Sequence, residues 1–250
     1  MTPTEMELQS VASYAARTVS PEPAPYRQGK RIAQLTARRG KHTLLLGAAG
    51  LGKTALVNCL QPRLNLLVCP RSEHLVPIFD SLEAGLDLAA GQLKLLQRKK
   101  RVLLALATAR RTVVFDGVGW TTPKLSSFLQ SAMEHVPVWI CTRSEHPWDI
   151  GHFWSWLVRF EKIDLRPLRQ DETRELIAAA VEERQIPSAA LEVVGWLHRR
   201  SNGSPLILRE LFHELTTRSY DLRDPLALRR LDLDRRVRKV FPDGTANRYD

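Results

Sequence analysis

The clearest chemistry in this 250-residue chain lies in Gly47-Ala48-Ala49-Gly50-Leu51-Gly52-Lys53-Thr54. The run matches GxxxxGK[S/T] in full. Small residues let the main chain wrap a phosphate with its N–H groups turned inward, and a following helix adds the positive end of its dipole. Lys53 then reaches the β and γ phosphates, and the Thr54 hydroxyl ligates Mg²⁺. The phosphate-holding stretch runs from Gly47 through Ala55. The ligand this chemistry implies is a nucleoside triphosphate, foremost ATP, with Mg²⁺. A glycine-rich turn with a chance lysine is the bland alternative. A strand before the motif and a helix after it speak against that alternative.

Three further clusters stand out. Val113-Val114-Phe115-Asp116 ends an apolar run on an acid. An acid at the C-terminal end of a buried parallel strand lies in the crevice where such sheets bind ligands, so Asp116 can hold the metal. Asp116-Gly117 is equally a common way to begin a turn. In Ile140-Cys141-Thr142-Arg143, Thr142 and Arg143 can sense a γ-phosphate or stabilise charge during its transfer. A surface arginine leaving a strand explains Arg143 as well. Asn202-Gly203-Ser204-Pro205-Leu206 reads as a loop opening a helix, with proline in the first turn.

The elements that must position these residues follow from periodicity. Apolar runs predict strands over 42–46, 64–69, 112–115, 136–142 and 160–165. Helices are expected over 29–39 (with Ile32 and Leu35 on one face), after the glycine loop, over 75–110 and over 125–134. Strands alternating with helical segments mean an α/β fold: a parallel sheet with helices on both faces. After Leu165 the alternation stops. Helices over 174–184, with Asp171 as N-cap and Glu172 in the first turn, over 189–200 and over 205–216 form a small all-helical unit. The division expected is an extended Pro-rich arm at 1–28, an α/β domain at 29–166, a helical unit at 167–240 and a frayed tail at 241–250.

Composition bounds the rest. At 44% hydrophobic and 26% charged, the chain has the material for a real core. No run of about 18 apolar residues predicts a membrane span. The N-terminus has no basic start followed by an apolar stretch, so no secretory signal is expected. Cys59, Cys69 and Cys141 have neither metal-ligand nor disulfide spacing and read as small core residues; a reducing cytoplasm fits. The net charge of +10 favours anionic partners, with dense positive charge at Arg98-Lys99-Lys100-Arg101 and from Arg229 to Lys239.

Taken in order, these pieces resemble the AAA+ and STAND branch of P-loop ATPases, which includes the NACHT and NB-ARC switches and the origin-recognition and transposition ATPases. The resemblance covers about residues 26–216. It implies a five-stranded sheet ordered 5-1-4-3-2, Asp116 as the Walker B acid, Thr142-Arg143 as the polar-arginine pair of the next strand, and Gly203-Ser204-Pro205 as the Gly-x-Pro signature of a helical lid, with Pro205 at the nucleotide. Relatives carry a second acid after the Walker B aspartate. Here that position is Gly117, which cannot polarise water, so hydrolysis is slow or uses another carboxylate. Glu73 is the candidate, an ordinary exposed loop acid the alternative. Relatives also carry a Gly-Arg pair upstream, of which Tyr26-Arg27-Gln28-Gly29-Lys30-Arg31 is a loose echo.

Three functions follow: an ATP-binding and ATP-hydrolysing switch; a weakly catalytic nucleotide-binding subunit serving a protein partner; and a DNA-associated ATPase making non-specific phosphate contacts. The partners implied are ATP and ADP, a second copy or a protein partner, and DNA, with no membrane. A small-molecule kinase ranks below these, because no acceptor-binding constellation is visible and the helical unit follows the fifth strand.

Overall fold

The computed structural model describes residues 34–89 and 93–240. The expected arm at 1–28, the echo at 26–31, Ile32 and the tail at 241–250 lie outside the described residues. Residues 34–37 are helical, and Leu35 is fully buried.

Five strands form one parallel sheet: β1 (Thr43–Leu46), β2 (Leu67–Cys69), β3 (Val113–Phe115), β4 (Val138–Thr142) and β5 (Glu161–Asp164). Their order is β2-β3-β4-β1-β5, which read from the other edge is the expected 5-1-4-3-2. Successive side chains of a strand face opposite ways, so each apolar strand feeds two cores. Leu44, Val113 and Ile140 enter one core, while Leu45, Val114 and Cys141 enter the other. The first core is closed by α2 (Leu75–Gly85), α3 (Leu95–Ala109) and α4 (Pro123–Met133). The second is closed by α1 (Lys53–Leu64), whose Leu56, Val57, Leu60 and Leu64 recur at helical spacing on the buried face.

Several expected elements differ in detail. The stretch expected to be helical over 75–110 forms two helices. Helix α2 ends at Gly85, and Asp87 takes a left-handed conformation (φ 53°) that turns the chain. Arg98 and Arg101 of α3 then return to Glu83 of α2, each at 2.6 Å. Hydrogen bonds from Arg98 hold the Glu83 carboxyl below its ordinary range. Helix α4 starts as its sequence dictates: the Thr122 hydroxyl accepts from the Leu125 N–H at 3.3 Å and Pro123 fills the first position. Thr122→Ala should cost about 1 kcal/mol in urea denaturation; an unchanged midpoint would show that this cap contributes nothing.

Between β4 and β5, the chain forms a short helix α5 (Pro147–Ile150) and a 3₁₀ segment (Trp154–Arg159) that the sequence reading did not assign. This segment is tied to the loop after β3 by a bridge between Thr121 and Gly151.

The helical unit has its own core, with Leu168, Ile177, Leu197, Leu208, Leu211 and Leu231 at its centre. Helix α6 spans Gln170–Glu182 and begins one residue before Asp171. Asp171 is therefore not the N-cap. Arg169 occupies that position, and its N–H donates to Glu172 at 2.8 Å. The helix expected over 189–200 is a 3₁₀ turn (Ser188–Leu191) followed by α7 (Val194–Ser201). Helix α8 (Pro205–Thr217) follows, and then α9 (Pro225–Val240), which the sequence reading did not assign. Ion pairs fix α9 on α8: Arg238 with Glu214 at 2.9 Å and Arg235 with Glu210 at 2.8 Å.

Candidate functional site

The glycine loop joins β1 to α1. Its first residue is anchored to the neighbouring strand, the Gly47 N–H donating to the Thr142 carbonyl at 3.2 Å. No side chain caps α1, and its first internal bond is the Leu56 N–H to the Gly52 carbonyl. The amides of Lys53, Thr54 and Ala55 therefore point out of the helix end, which is a ready anion site. Lys53 folds back over the loop, its ammonium donating to the carbonyls of Gly47 at 2.5 Å and Ala48 at 3.0 Å. Burial holds the Lys53 ammonium below its ordinary value; Asp116 acts against this and Arg143 adds to it. A multiply charged anion beside Lys53 would restore the charged form.

Thr54 and Asp116 meet across the loop. The Thr54 hydroxyl donates to the Asp116 carboxylate at 2.5 Å. Asp116 follows directly on Phe115, the last residue of β3, and its N–H donates to the Cys69 carbonyl at 2.9 Å, so the strand end fixes its place. Asp116 and Gly117 do form a turn. The turn and the contact with Thr54 coexist, because the turn uses the backbone and leaves the carboxylate free to face the loop. Among the described residues there is no group of three or more His, Cys, Asp or Glu able to hold a metal. The Thr54–Asp116 oxygen pair suits a hard ion that keeps waters and draws its other ligands from phosphate, the habit of Mg²⁺.

A cleft of about 1220 Å³ opens here between the sheet and the helical unit. Ala49, Gly50, Gly52, Lys53, Thr54 and Ala55 line it. So do Asp116, Thr142, Arg143, Glu73 and Pro205. Three residues of the motif are placed differently. Gly47 lies beneath the loop against Leu165, Ala48 serves through its carbonyl, and Leu51 turns its side chain into the core under the sheet. The Thr142 hydroxyl donates to the Ser144 carbonyl at 3.1 Å, so that group is engaged in its own loop. Cys69 and Cys141 are buried as expected, and burial pushes both thiols up. Cys59 is only half-buried and lines the cleft rather than the core.

The sequence reading missed Arg209, Phe212 and Asp149, which also line the cleft. The signal for Arg209 was present: it lies four residues after Pro205 on one helix, and residues at that spacing share a face. Asp149 had no such signal, because the turn carrying it was not assigned.

Comparison of the sequence with models of protein families and with curated proteins finds no match. Solved structures do match. Cdc6p from Pyrobaculum aerophilum aligns with a TM-score of 0.63 at 11% identity, over 80% of this chain and 64% of that one. The ORC1 protein of Aeropyrum pernix, solved in complex with DNA, aligns at 0.63 and 16%, over 88% and 68%. Domain III of the Thermotoga maritima replication initiation protein DnaA aligns at 0.54 and 16%, over 83% and 92%. The chain has the fold of a AAA+ P-loop ATPase. This chain spans about two thirds of the two archaeal proteins, and the likeness at such identities is one of fold. Within the AAA+ fold, the cleft lies where the carboxyl ends of β1, β3 and β4 meet the helical unit. No helix of the described residues is long and apolar enough to cross a membrane.

Proposed function

We propose that the chain binds ATP with Mg²⁺ in this cleft and acts as a nucleotide-dependent switch, with residues 29–166 as the nucleotide-binding domain and 167–240 as its lid. One observation carries the reading. Lys53, Thr54 and Asp116, from segments more than 60 residues apart, converge at the mouth of a helix whose first amides are uncapped. The loop amides and Lys53 take the phosphates. Thr54 and Asp116 would hold the metal, which when bound would supply charge neutralisation for the phosphates. Arg143 and Arg209 bring positive charge from the sheet and from the lid to the same space, where charge builds during phosphoryl transfer. Pro205 supplies an apolar wall.

Gly117 supports a second reading, in which turnover is slow and the chain serves a partner. It places no carboxylate behind the attacking water. Glu73 is exposed but lines the cleft, so it stands as the candidate base. The DNA-associated reading draws less support. In both basic clusters that motivate it, part of the charge is engaged in ion pairs: Arg98 and Arg101 with Glu83, and Arg235, Arg236 and Arg238 with Asp232 and Glu214.

The test is titration of the full chain with a fluorescent ATP analogue, with and without Mg²⁺, alongside steady-state phosphate release. The wild type should bind, and Mg²⁺ should tighten binding. Asp116→Asn should leave metal-free binding intact and reduce the Mg²⁺ effect by about tenfold or more, since even outer-shell partners of a metal site cost 10- to 100-fold when removed. A wild type that fails to bind at millimolar analogue sinks the proposal. Glu73→Gln with undiminished phosphate release removes Glu73 as the base.

A further inference from the structure

Two segments 154 residues apart meet at one carbonyl. The Gly50 carbonyl accepts a hydrogen bond from the Ser204 hydroxyl at 3.3 Å and another from the Leu206 N–H at 3.2 Å. Ser204 is also the N-cap of α8, its oxygen accepting from the Ile207 N–H at 3.4 Å. A hydroxyl has one proton and two lone pairs, so it can accept at the cap and donate to Gly50 together. The contact is close. Gly50 has φ +80°, and a Cβ there would meet the Ser204 oxygen at 2.9 Å and the Leu206 Cβ at 3.1 Å.

The consequence follows from peptide geometry. The unit joining Gly50 and Leu51 is planar and trans, so its carbonyl and its N–H point in opposite directions. With the carbonyl held toward α8, the Leu51 N–H faces back into the loop, where it donates to the Ala48 carbonyl at 3.4 Å. Release of the carbonyl frees this plane to rotate, and rotation swings the Leu51 N–H that belongs to it. That N–H is one of the loop amides that the proposed phosphate site uses.

We propose that Ser204 is a positioning residue for the phosphate loop: it clamps the Gly50–Leu51 peptide plane, so that nucleotide capture and docking of α8 form one coupled equilibrium. The inference rests on nucleotide binding at this loop. Coupling is reciprocal. Docked α8 raises nucleotide affinity, and nucleotide tightens the docking of α8. Arg209 travels on the same helix, so the clamp also governs when that charge faces the cleft.

The discriminating variant is Ser204→Gly, because glycine substitutes for serine at an N-cap within a few tenths of a kcal/mol while removing the donor to Gly50. Ser204→Thr restores a hydroxyl. The full chain carrying each is titrated with the fluorescent ATP analogue and Mg²⁺, and amide hydrogen exchange is followed with and without the analogue. Ser204→Gly should raise Kd about 2- to 10-fold, the range set by loss of one ordinary hydrogen bond. Loop amides 48–52 should exchange faster, and nucleotide should no longer slow exchange in the first turn of α8. Ser204→Thr should stay close to wild type in all three. Unchanged affinity with unchanged loop exchange overturns the clamp, even where the start of α8 frays. If the wild type binds no analogue, the proposed function fails. The clamp is then judged on nucleotide-free protein alone: faster loop exchange in Ser204→Gly upholds it, and equal exchange overturns it.

Discussion

Lys53→Ala should weaken binding of the ATP analogue by about 10- to 150-fold and bring phosphate release to background, the range that follows from losing a hydrogen bond to a charged group. Lys53 is the cation that bends over the loop, close enough to bond the carbonyls of both Gly47 and Ala48. A triphosphate in the loop offers oxygens far better matched to an ammonium than those two carbonyls. Fold loss is an unsuitable explanation for such a result, because the Lys53 side chain belongs to none of the three cores and Lys53 lines the open cleft. Circular dichroism should match wild type. Lys53→Arg is the sharper companion. Its guanidinium is planar and larger than the ammonium, so it should recover only part of the affinity. Full affinity in Lys53→Ala would mean that the anion site lies elsewhere.

What was legible in the sequence was whatever a short window encodes. The glycine motif, the apolar strands and Asp116 at a strand end are local patterns, and they place the phosphate loop and Asp116 side by side in the structure. The sheet order came from the resemblance; no window of residues contains it. Two kinds of feature stayed hidden. One is structure whose stability is not written as an apolar stripe. Helix α9 is crowded with arginines; it is held by the buried Leu228 and Leu231 and by ion pairs from Arg235 and Arg238 to Glu210 and Glu214, and a stripe of so few apolar residues leaves periodicity understating it. The Trp-rich stretch from Pro147 to Arg159 mixes a short helix with 3₁₀ turns and has no sustained period. The other hidden feature is contact across long separations. Nothing near Ser204 announces that its hydroxyl meets Gly50, and nothing near Arg98 announces Glu83 as the partner that consumes its charge. Runs of like charge look free in a sequence, and their pairing is visible only in three dimensions.

Gly203→Ala should destabilise the helical unit by about 3 kcal/mol and undock it from the phosphate loop. The sequence offers Gly203 as an ordinary helix start, yet the position permits no side chain. Its φ is +65°, a region that costs an L-residue energy. An added Cβ would also lie 2.4 Å from the Leu168 carbonyl oxygen and 2.9 Å from its nitrogen. Those atoms are backbone and cannot swing aside, because the Leu168 N–H is itself bonded to the Gly203 carbonyl at 2.8 Å. Strained backbone and forced displacement each cost about 1–3 kcal/mol. The corner that must move leads straight into Ser204, Pro205 and Leu206, so the strain is transmitted to the Gly50 contact. Urea denaturation should show a lowered midpoint, and the fluorescent analogue should bind more weakly than to wild type. Gly119→Ala is the matched control. It lines the same cleft, but a Cβ there meets nothing within 4 Å, so its stability should stay within about 0.5 kcal/mol of wild type. Equal stability of the two variants would mean that the α7–α8 corner packs against Leu168 more loosely than the distances state, and the mechanical link from lid to loop would go with it.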